Sequence, residues 1–192
     1  MKIINKIFII LLGHIILMPH LFSYLFSSQK QIIYDDIMQS MRRRSVYFSG
    51  CFAVIYVLMT DSFYRTMFYY RIGPLSLFYK WYFRGNSTFK PMCNDIGGGI
   101  YLAHPTSTFL NAKKIGKNFT CRQNTTLGNK YEGGKDSCPT IGDNVSLGAN
   151  VVIIGDILIG DNVIVGAGSV VTKSVPANSV VVGNPARVLY KK

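Results

Sequence analysis

The sequence is short of acidic residues, histidines and cysteines, and each shortage narrows what the protein can do. Nine Asp and Glu residues face 21 Lys and Arg residues, which gives a formal net charge of +12 over 192 residues. The four cysteines are far apart and show no C-x-x-C spacing, so we expect no zinc site and predict free thiols in a reducing compartment. Only three histidines are available to act as a base with a pKa near neutrality.

The basic excess indicates an anionic partner, which could be membrane lipid, nucleic acid or a phosphate-bearing ligand. Hydrophobic residues make up 48% of the sequence, so we expect a large packed core. Aromatic residues and arginines crowd positions 63–84, and such mixtures can bind nucleic acid. No known nucleic-acid module is visible, so we interpret this segment as an aromatic core or membrane-interface belt and expect no nucleic-acid partner.

Charged residues are also absent from residues 7–26, a segment of about 20 residues that is long enough to span a bilayer. Pro19 predicts a break or kink there, and no small-residue cleavage site follows. Three structures stay open: a buried helical hairpin, a true span, or an interfacial helix with Lys2, Lys6 and residues 42–44 near lipid head groups. Our hypothesis is that residues 1–45 contact a membrane surface without carrying the rest of the chain across it.

Helical periodicity continues from Gln29 to Phe83 and stops at residues 85–88. Within it, residues 62–72 are predicted to form a helix that ends at Gly73, with Phe63, Met67 and Tyr70 on one face. We therefore divide the chain into a helical region, residues 1–84, and a second domain, residues 85–192.

A six-residue repeat organises the second domain. Six consecutive units run from Ile141 to Pro176, and an aliphatic residue opens each one. Neither a helix nor an ordinary strand repeats every six residues, whereas the sides of a stacked solenoid coil do. Gly, Asn and Asp suit the corners of such a coil, so we interpret residues 143–144 and 161–162 as corner residues and predict no metal site.

The repeat begins upstream of Ile141 and is irregular in two places. Earlier units open at Ile96, Leu102, Ile115, Cys121 and Leu127. Cys121 is therefore predicted to be a buried thiol. One extra residue lies between Leu102 and Phe109, next to His104, and residues 128–140 interrupt the repeat. Insertions in a solenoid project from one face and often form binding sites.

The repeat, together with residues 168–176 and 182–187, resembles the hexapeptide-repeat acyltransferases. The segment from Ile96 to Pro105 is similar to the serine O-acetyltransferase motif that ends in a catalytic His, and residues 133–142 are similar to the active-site loop of that branch. The helical region looks more like the small acetyltransferases of surface-polysaccharide gene clusters. The resemblance implies a mainly β fold, in which an apolar α-helical region precedes a left-handed parallel β-helix.

The resemblance also implies a homotrimer that transfers an acetyl group from acetyl-CoA to a hydroxyl, with His104 as general base. The resemblance implies that the pantetheine arm of acetyl-CoA lies against four small residues: Gly148, Ala149, Gly166 and Ala167. Lys173 and Arg187 are candidates for the CoA phosphates because their charge is complementary. Because acetyl-CoA is cytosolic, we expect a cytoplasmic protein, peripheral on the inner face of the cytoplasmic membrane.

Four residues at three places in the sequence depart from the serine acetyltransferase pattern. Phe89 stands where those enzymes have the carboxylate that orients the His, Ala103 where they have Asp, and Ser137-Cys138 where they have Arg-His. No evident cation is left for a serine carboxylate, so we predict a sugar hydroxyl as the acceptor. Serine O-acetylation for cysteine biosynthesis and a non-catalytic scaffold remain as alternatives.

Three polar residues are candidates for the acceptor site: Asn111, Asp136 and Cys138. Asn111 or a backbone carbonyl is also a candidate for orienting His104, with Asp136 and Asp95 as weaker candidates. A nucleophilic role for Cys138 is not favoured, because no second His lies near it in the sequence to activate it.

Overall fold

The computed structural model describes residues 3–131 and 137–191, which form two compact units with their boundary between Ser87 and Thr88. The helices of the first unit are α1 (Ile3–Ile16), α2 (Met18–Phe26), α3 (Lys30–Arg43), α4 (Gly50–Thr60), α5 (Ser62–Ile72) and a 3-10 helix, η1 (Gly73–Phe78).

The apolar segment at residues 7–26 forms two helices rather than one. α1 and α2 meet at Leu17 with a bend of 76° between them. Pro19 lies in the first turn of α2, where its missing N–H has no helical partner to lose, and the predicted break is confirmed. Among the described residues no single helix is long and apolar enough to cross a membrane, and only this bent pair passes such a test, by length and composition.

α5 has the predicted bounds, but of the three residues predicted to share one face only Met67 is fully buried. Phe63 and Tyr70 are only half-buried. The buried side chains include Tyr64, Met67, Phe68 and Arg71. Arg71 forms an ion pair with Asp36 of α3 at 3.2 Å, and the two side chains are 2% and 4% exposed. The spacing of aromatic residues does not indicate that Arg71 is buried. A charged side chain is stable in the core only with a partner, and Asp36 is distant in the sequence.

His20 is a polar residue of α2 that aromatic rings enclose completely. Its Nε2 lies 2.9 Å from the Tyr69 hydroxyl, while Nδ1 has no hydrogen-bond partner among the described residues. Burial, with a smaller contribution from the nearby charge of Arg65, lowers the pKa of His20 to about 4. The imidazole is therefore neutral in the folded protein at physiological pH.

We expect acid to destabilise the first unit through His20. The folded pKa of about 4 lies below the ordinary value of 6.5, so the unfolded chain binds more protons between these values. The free energy of unfolding should fall as the pH drops from 6.5 toward 4, by at most about 1.4 kcal/mol per pH unit. Urea unfolding across this range should show a flatter pH dependence for His20→Gln than for the wild type. Ser23→Ala, on the same helix, is the control, and a slope unchanged by His20→Gln would contradict the assignment.

The second unit is a parallel β-solenoid of about five turns, as the six-residue repeat predicts. One face holds β1 (Phe89–Pro91), β3 (Thr108–Leu110), β6 (Thr126–Gly128), β9 (Val152–Ile154) and β12 (Val170–Val171). A second face holds β4 (Lys114–Ile115), β7 (Thr140–Ile141) and β10 (Leu158–Ile159). The third holds β2 (Tyr101–Ala103), β5 (Thr120–Arg122), β8 (Ser146–Leu147), β11 (Ile164–Val165), β13 (Ser179–Gly183) and the antiparallel β14 (Ala186–Lys191). We call them the first, second and third faces.

Asparagines stack along one corner of the solenoid. Their side-chain amides form a ladder with N···O distances of 2.9–3.1 Å through Asn118, Asn144, Asn162 and Asn178, and each has a φ near 56°. Asp161 Oδ1 accepts a hydrogen bond from the backbone N–H of Asp143 at 2.7 Å. The corner interpretation of these residues is confirmed, and no group of three or more His, Cys, Asp or Glu among the described residues could hold a metal ion.

The core runs through the middle of the coils. Leu110 pairs in register with Leu127 and Leu127 with Ile153, and all three are almost completely buried. Cys121 occupies an equivalent inward position with no exposed surface, as predicted, and burial raises the pKa of its thiol to about 12. Stacked inward side chains of this kind form one continuous narrow core.

The corner that contains His104 is longer than the sequence repeat predicts. Tyr101 pairs with Thr120 and Phe109 pairs with Thr126, so this corner holds two residues more than the corner of the next turn, not one. The following side of the coil, from Leu110 to Ile115, is one residue shorter than the repeat.

This shift changes which residue of β3 faces the core. Phe109 is 43% exposed, whereas Leu110 is completely buried. The sequence repeat, with one extra residue after Leu102, predicts that Phe109 opens the next unit, but register with Leu127 selects Leu110 as the inward residue.

Candidate functional site

His104 lies at the long corner between β2 and β3, with its side chain exposed. Its φ is 54°, a left-handed conformation that non-glycine residues seldom adopt. Its carbonyl accepts a hydrogen bond from the N–H of Thr106 at 2.7 Å, but within the described residues no hydrogen bond holds its ring. A widened corner and an unusual backbone conformation thus present an imidazole to solvent. Such local strain often accompanies function.

The candidates for orienting His104 lie elsewhere in the chain. Asn111 follows β3, at the opposite end of that strand from His104, and its side chain bonds to Asn129. Asp95 forms an ion pair with Lys114 at 3.3 Å. The prediction that Asn111 orients His104 within one chain is therefore not supported by the geometry. Asp136 lies outside the described residues.

Asn111 and Cys138 line one pocket of about 570 Å³, at the corner between the first and second faces. Asn129 joins them, because its Oδ1 accepts from Asn111 Nδ2 and from Cys138 Sγ, each at 2.7 Å. We call this the amide pocket. Sequence reasoning missed Asn129, which stands at the start of the insertion and resembles an ordinary turn residue.

A cation that the sequence argument also missed lines the amide pocket. Lys113 Nζ lies 2.8 Å from Asp156 Oδ1, across two turns of the solenoid. The Lys113 side chain is 35% exposed and that of Asp156 is 67% exposed, so the pair is a surface contact of modest strength. The pocket therefore offers neutral amides and a paired ammonium group rather than an unpaired cation.

The four small residues proposed for the pantetheine arm lie together at the corner between the third and first faces. This is the corner that His104 occupies earlier in the solenoid. Leu147 pairs with Val165, which places Gly148 beside Gly166 in adjacent turns. A Cβ on Gly148 would lie 2.5 Å from the backbone nitrogen of Ala167. Close stacking of the coils therefore already requires glycine at 148, so its small size is no separate sign of a ligand.

This stacking gives a prediction for Gly148→Ala. The added Cβ overlaps backbone that cannot rotate away, so we expect a loss of about 1–3 kcal/mol in the free energy of unfolding. Ala149→Ser, at the neighbouring half-buried position, is the matched control and should cost much less. Denaturant unfolding measures both. A Gly148→Ala variant with wild-type stability and a raised KM for acetyl-CoA would instead favour a glycine kept for ligand contact.

Lys173 and Arg187, the two candidates for binding the CoA phosphates, lie at the same pocket. Both are exposed and both line a second pocket of about 340 Å³, beside Val171, Pro185 and Val188. Neither side chain forms an ion pair with another described residue. Two unpaired cations beside an apolar wall suit a phosphorylated ligand with an apolar part.

The predicted site residues therefore lie along two separate corners of the solenoid. His104 and the four small residues occupy the corner that leads into the first face, whereas the amide pocket and Lys173 occupy the corner that follows it. The strands of the first face run between the two groups. A single chain does not bring them into one site.

Known proteins resemble this chain in sequence and in fold. The bacterial transferase hexapeptide family (six repeats) matches residues 138–173. Over 96 residues the chain is 49% identical to the putative colanic acid biosynthesis acetyltransferase WcaB of Escherichia coli K12, a match that covers 48% of this chain and 57% of that protein. The second unit is a hexapeptide-repeat β-solenoid with acetyltransferases as homologues.

Plant and bacterial serine acetyltransferases are also similar to this chain. Mitochondrial serine acetyltransferase 3 of Arabidopsis thaliana is 46% identical over 98 residues, which are 50% of this chain and 25% of that enzyme. The crystal structure of the Neisseria gonorrhoeae serine acetyltransferase matches with a TM-score of 0.68 and 26% identity, over 88% of this chain and 68% of that one. The chain thus spans less than two thirds of the length of either sequence relative.

A further structure shares the fold and was solved with a ligand. The serine acetyltransferase of Brucella abortus in complex with coenzyme A matches with a TM-score of 0.65 and 24% identity, over 85% of this chain and 68% of that one.

Proposed function

We propose that this protein is an acetyl-CoA-dependent O-acetyltransferase that acylates a hydroxyl of a saccharide, with His104 as general base. The observation that carries the proposal is the exposed, unengaged imidazole at a widened corner of an acetyltransferase-like solenoid. The similarity to a putative acetyltransferase of colanic acid biosynthesis supports a sugar acceptor.

The chemistry requires one proton transfer and one substitution. The His104 ring accepts the proton of the acceptor hydroxyl as its oxygen attacks the thioester carbonyl. The new C–O bond forms, the C–S bond breaks, and coenzyme A leaves as the thiol after the proton passes to its sulfur. General base assistance of this kind contributes about 10²–10⁴-fold to a rate.

The amide pocket supports a neutral acceptor. Asn111 and Asn129 offer donors and acceptors that match sugar hydroxyls, and the ammonium of Lys113 is already paired with Asp156. We propose Asn111, Cys138 and Asp136 as acceptor-site residues. Cys138 lines the pocket without acting as a nucleophile, because it is only 4% exposed and its thiol donates a hydrogen bond to Asn129 Oδ1.

For the donor we propose that Lys173 and Arg187 hold the CoA phosphates. The pantetheine arm would lie along the corner formed by Gly148, Ala149, Gly166 and Ala167 of the neighbouring chain, where adjacent turns leave the backbone partly exposed. Acetyl-CoA supplies the activated acetyl group and enters as a substrate.

We further propose a homotrimer with its active site shared between neighbouring chains. The support is geometric, because His104 and the amide pocket occupy different corners of one solenoid. A cyclic assembly would place the His104 corner of one copy against the amide pocket of the next. We place the assembly on the cytoplasmic side of the membrane, where acetyl-CoA is available.

Serine O-acetylation is the second candidate, favoured by 46% identity to a plant serine acetyltransferase. Purified protein with acetyl-CoA should release coenzyme A thiol faster with saccharide acceptors than with L-serine. Rapid release with L-serine would replace the saccharide proposal. Absence of acceptor-dependent release with every hydroxyl compound would favour a non-catalytic scaffold.

A further inference from the structure

α2 exposes large apolar side chains and buries polar ones, which is the reverse of an ordinary amphipathic helix. Its large apolar side chains are exposed: Met18 67%, Phe22 63%, Leu25 46% and Phe26 76%. The side that packs on the rest of the first unit carries the buried polar residues His20 and Ser23. Water on the outer side would contact several large apolar side chains, which is a substantial cost unless something apolar covers them.

The exposed apolar surface continues onto the neighbouring elements. On α1, Phe8, Leu11, Leu12 and Ile15 follow the spacing of one helical face and are 39–77% exposed. Phe22 and Phe26 line one depression with Leu75 of η1. Tyr82 donates a hydrogen bond from its hydroxyl to the Ile16 carbonyl at 2.9 Å, at the junction of α1 and α2. We call the exposed sides of α1 and α2, with residues 75–82, the apolar face.

Aromatic and basic residues lie at one edge of the apolar face. The Trp81 and Tyr82 rings lie 5.4 Å apart, and Trp81 is 68% exposed. Lys80 precedes Trp81, and Arg84 Nε donates to the Trp81 carbonyl at 3.4 Å. Lys30 follows α2 at the start of α3, and all three cations are exposed. Trp and Tyr beside Lys and Arg is the arrangement of residues that sit at lipid head groups.

We propose that the apolar face docks on an anionic membrane surface and lies in the plane of the interface. α1 and α2 do not cross as a span, because the inner side of α2 is fixed to the first unit through His20 and Tyr69 and the helix junction through Tyr82. A second copy of the chain is the weaker occupant. A contact between two copies through this face would bring two sets of the cations Lys30, Lys80 and Arg84 to one interface, which costs free energy.

The proposal is tested by flotation of the full-length protein with vesicles of phosphatidylcholine, with or without phosphatidylglycerol. The wild type should float with the anionic vesicles and bind them less in high salt. Phe22→Gln with Phe26→Gln should weaken the vesicle affinity about tenfold or more, because two apolar side chains lose their burial. Lys80→Ser with Arg84→Ser should reduce binding to the anionic vesicles selectively.

Tyr47→Gln is the matched control. Tyr47 is 84% exposed but lies in the connection between α3 and α4, so this variant should bind like the wild type. Circular dichroism confirms that each variant is folded. Two outcomes would overturn the proposal: vesicle binding that Phe22→Gln with Phe26→Gln leaves unchanged, or no vesicle binding together with a soluble oligomer that the same substitutions dissociate. The second outcome would assign the apolar face to another copy of the chain.

Discussion

His104→Asn is expected to lower kcat/KM for acetyl transfer by about 10²–10⁴-fold while the protein stays folded. Asparagine suits the test because it tolerates the left-handed conformation that His104 adopts. The equivalent corner of the next turn already holds Asn124, with a φ of 57°. The substitution therefore removes the base but keeps the backbone, whereas alanine would add strain.

The control for this variant is Ser107→Asn. Ser107 belongs to the same corner and also has a positive φ, of 50°. We expect this variant to retain most of the wild-type rate, measured as acceptor-dependent release of coenzyme A thiol. If His104→Asn keeps a rate within a few-fold of the wild type, the imidazole is not the base.

Mixing two inactive variants should restore about a quarter of the wild-type activity if each site combines residues of two chains. One variant is His104→Asn, and the other is Asn129→Leu, which removes the shared acceptor of the amide pocket. With equal amounts, half of the chains carry an intact His104 and half carry an intact Asn129. One site in about four then receives both intact corners.

Co-expression with different tags yields the mixed assemblies for this assay. Wild type mixed equally with His104→Asn is the reference and should retain about half of the activity, since each defective base disables one site. Mixed variants that stay as inactive as each variant alone would place the whole site within one chain.

The sequence repeat predicts the solenoid well because a period of six reports the length of one side of a coil. Asn144 and Asn162 could be assigned to corners for the same reason, and Cys121 to the core. The pattern fails at Phe109, where two extra residues at one corner and a short side after it shift the register by one residue. Periodicity counts apolar residues, but pairing with the next turn decides which one faces inward.

Less of the candidate site can be predicted from the sequence, because its contacts join residues in distant turns of the solenoid. His104 stands out as a break in the repeat, which the structure explains as a widened corner. Lys113 and Asp156 pair across two turns of the solenoid, and no local sequence pattern reveals this contact. Gly148 shows a second limit, because the sequence indicates a small residue there but only the structure shows that stacking against Ala167 requires glycine.

The most direct test of the proposed function is mass spectrometry of acceptors after incubation with acetyl-CoA and the wild-type protein. Saccharide acceptors should gain one acetyl group as an alkali-labile ester, L-serine should gain little, and His104→Asn should yield neither product. Acetylated L-serine as the main product would contradict the sugar assignment. Equal product from His104→Asn and the wild type would contradict the role of the base.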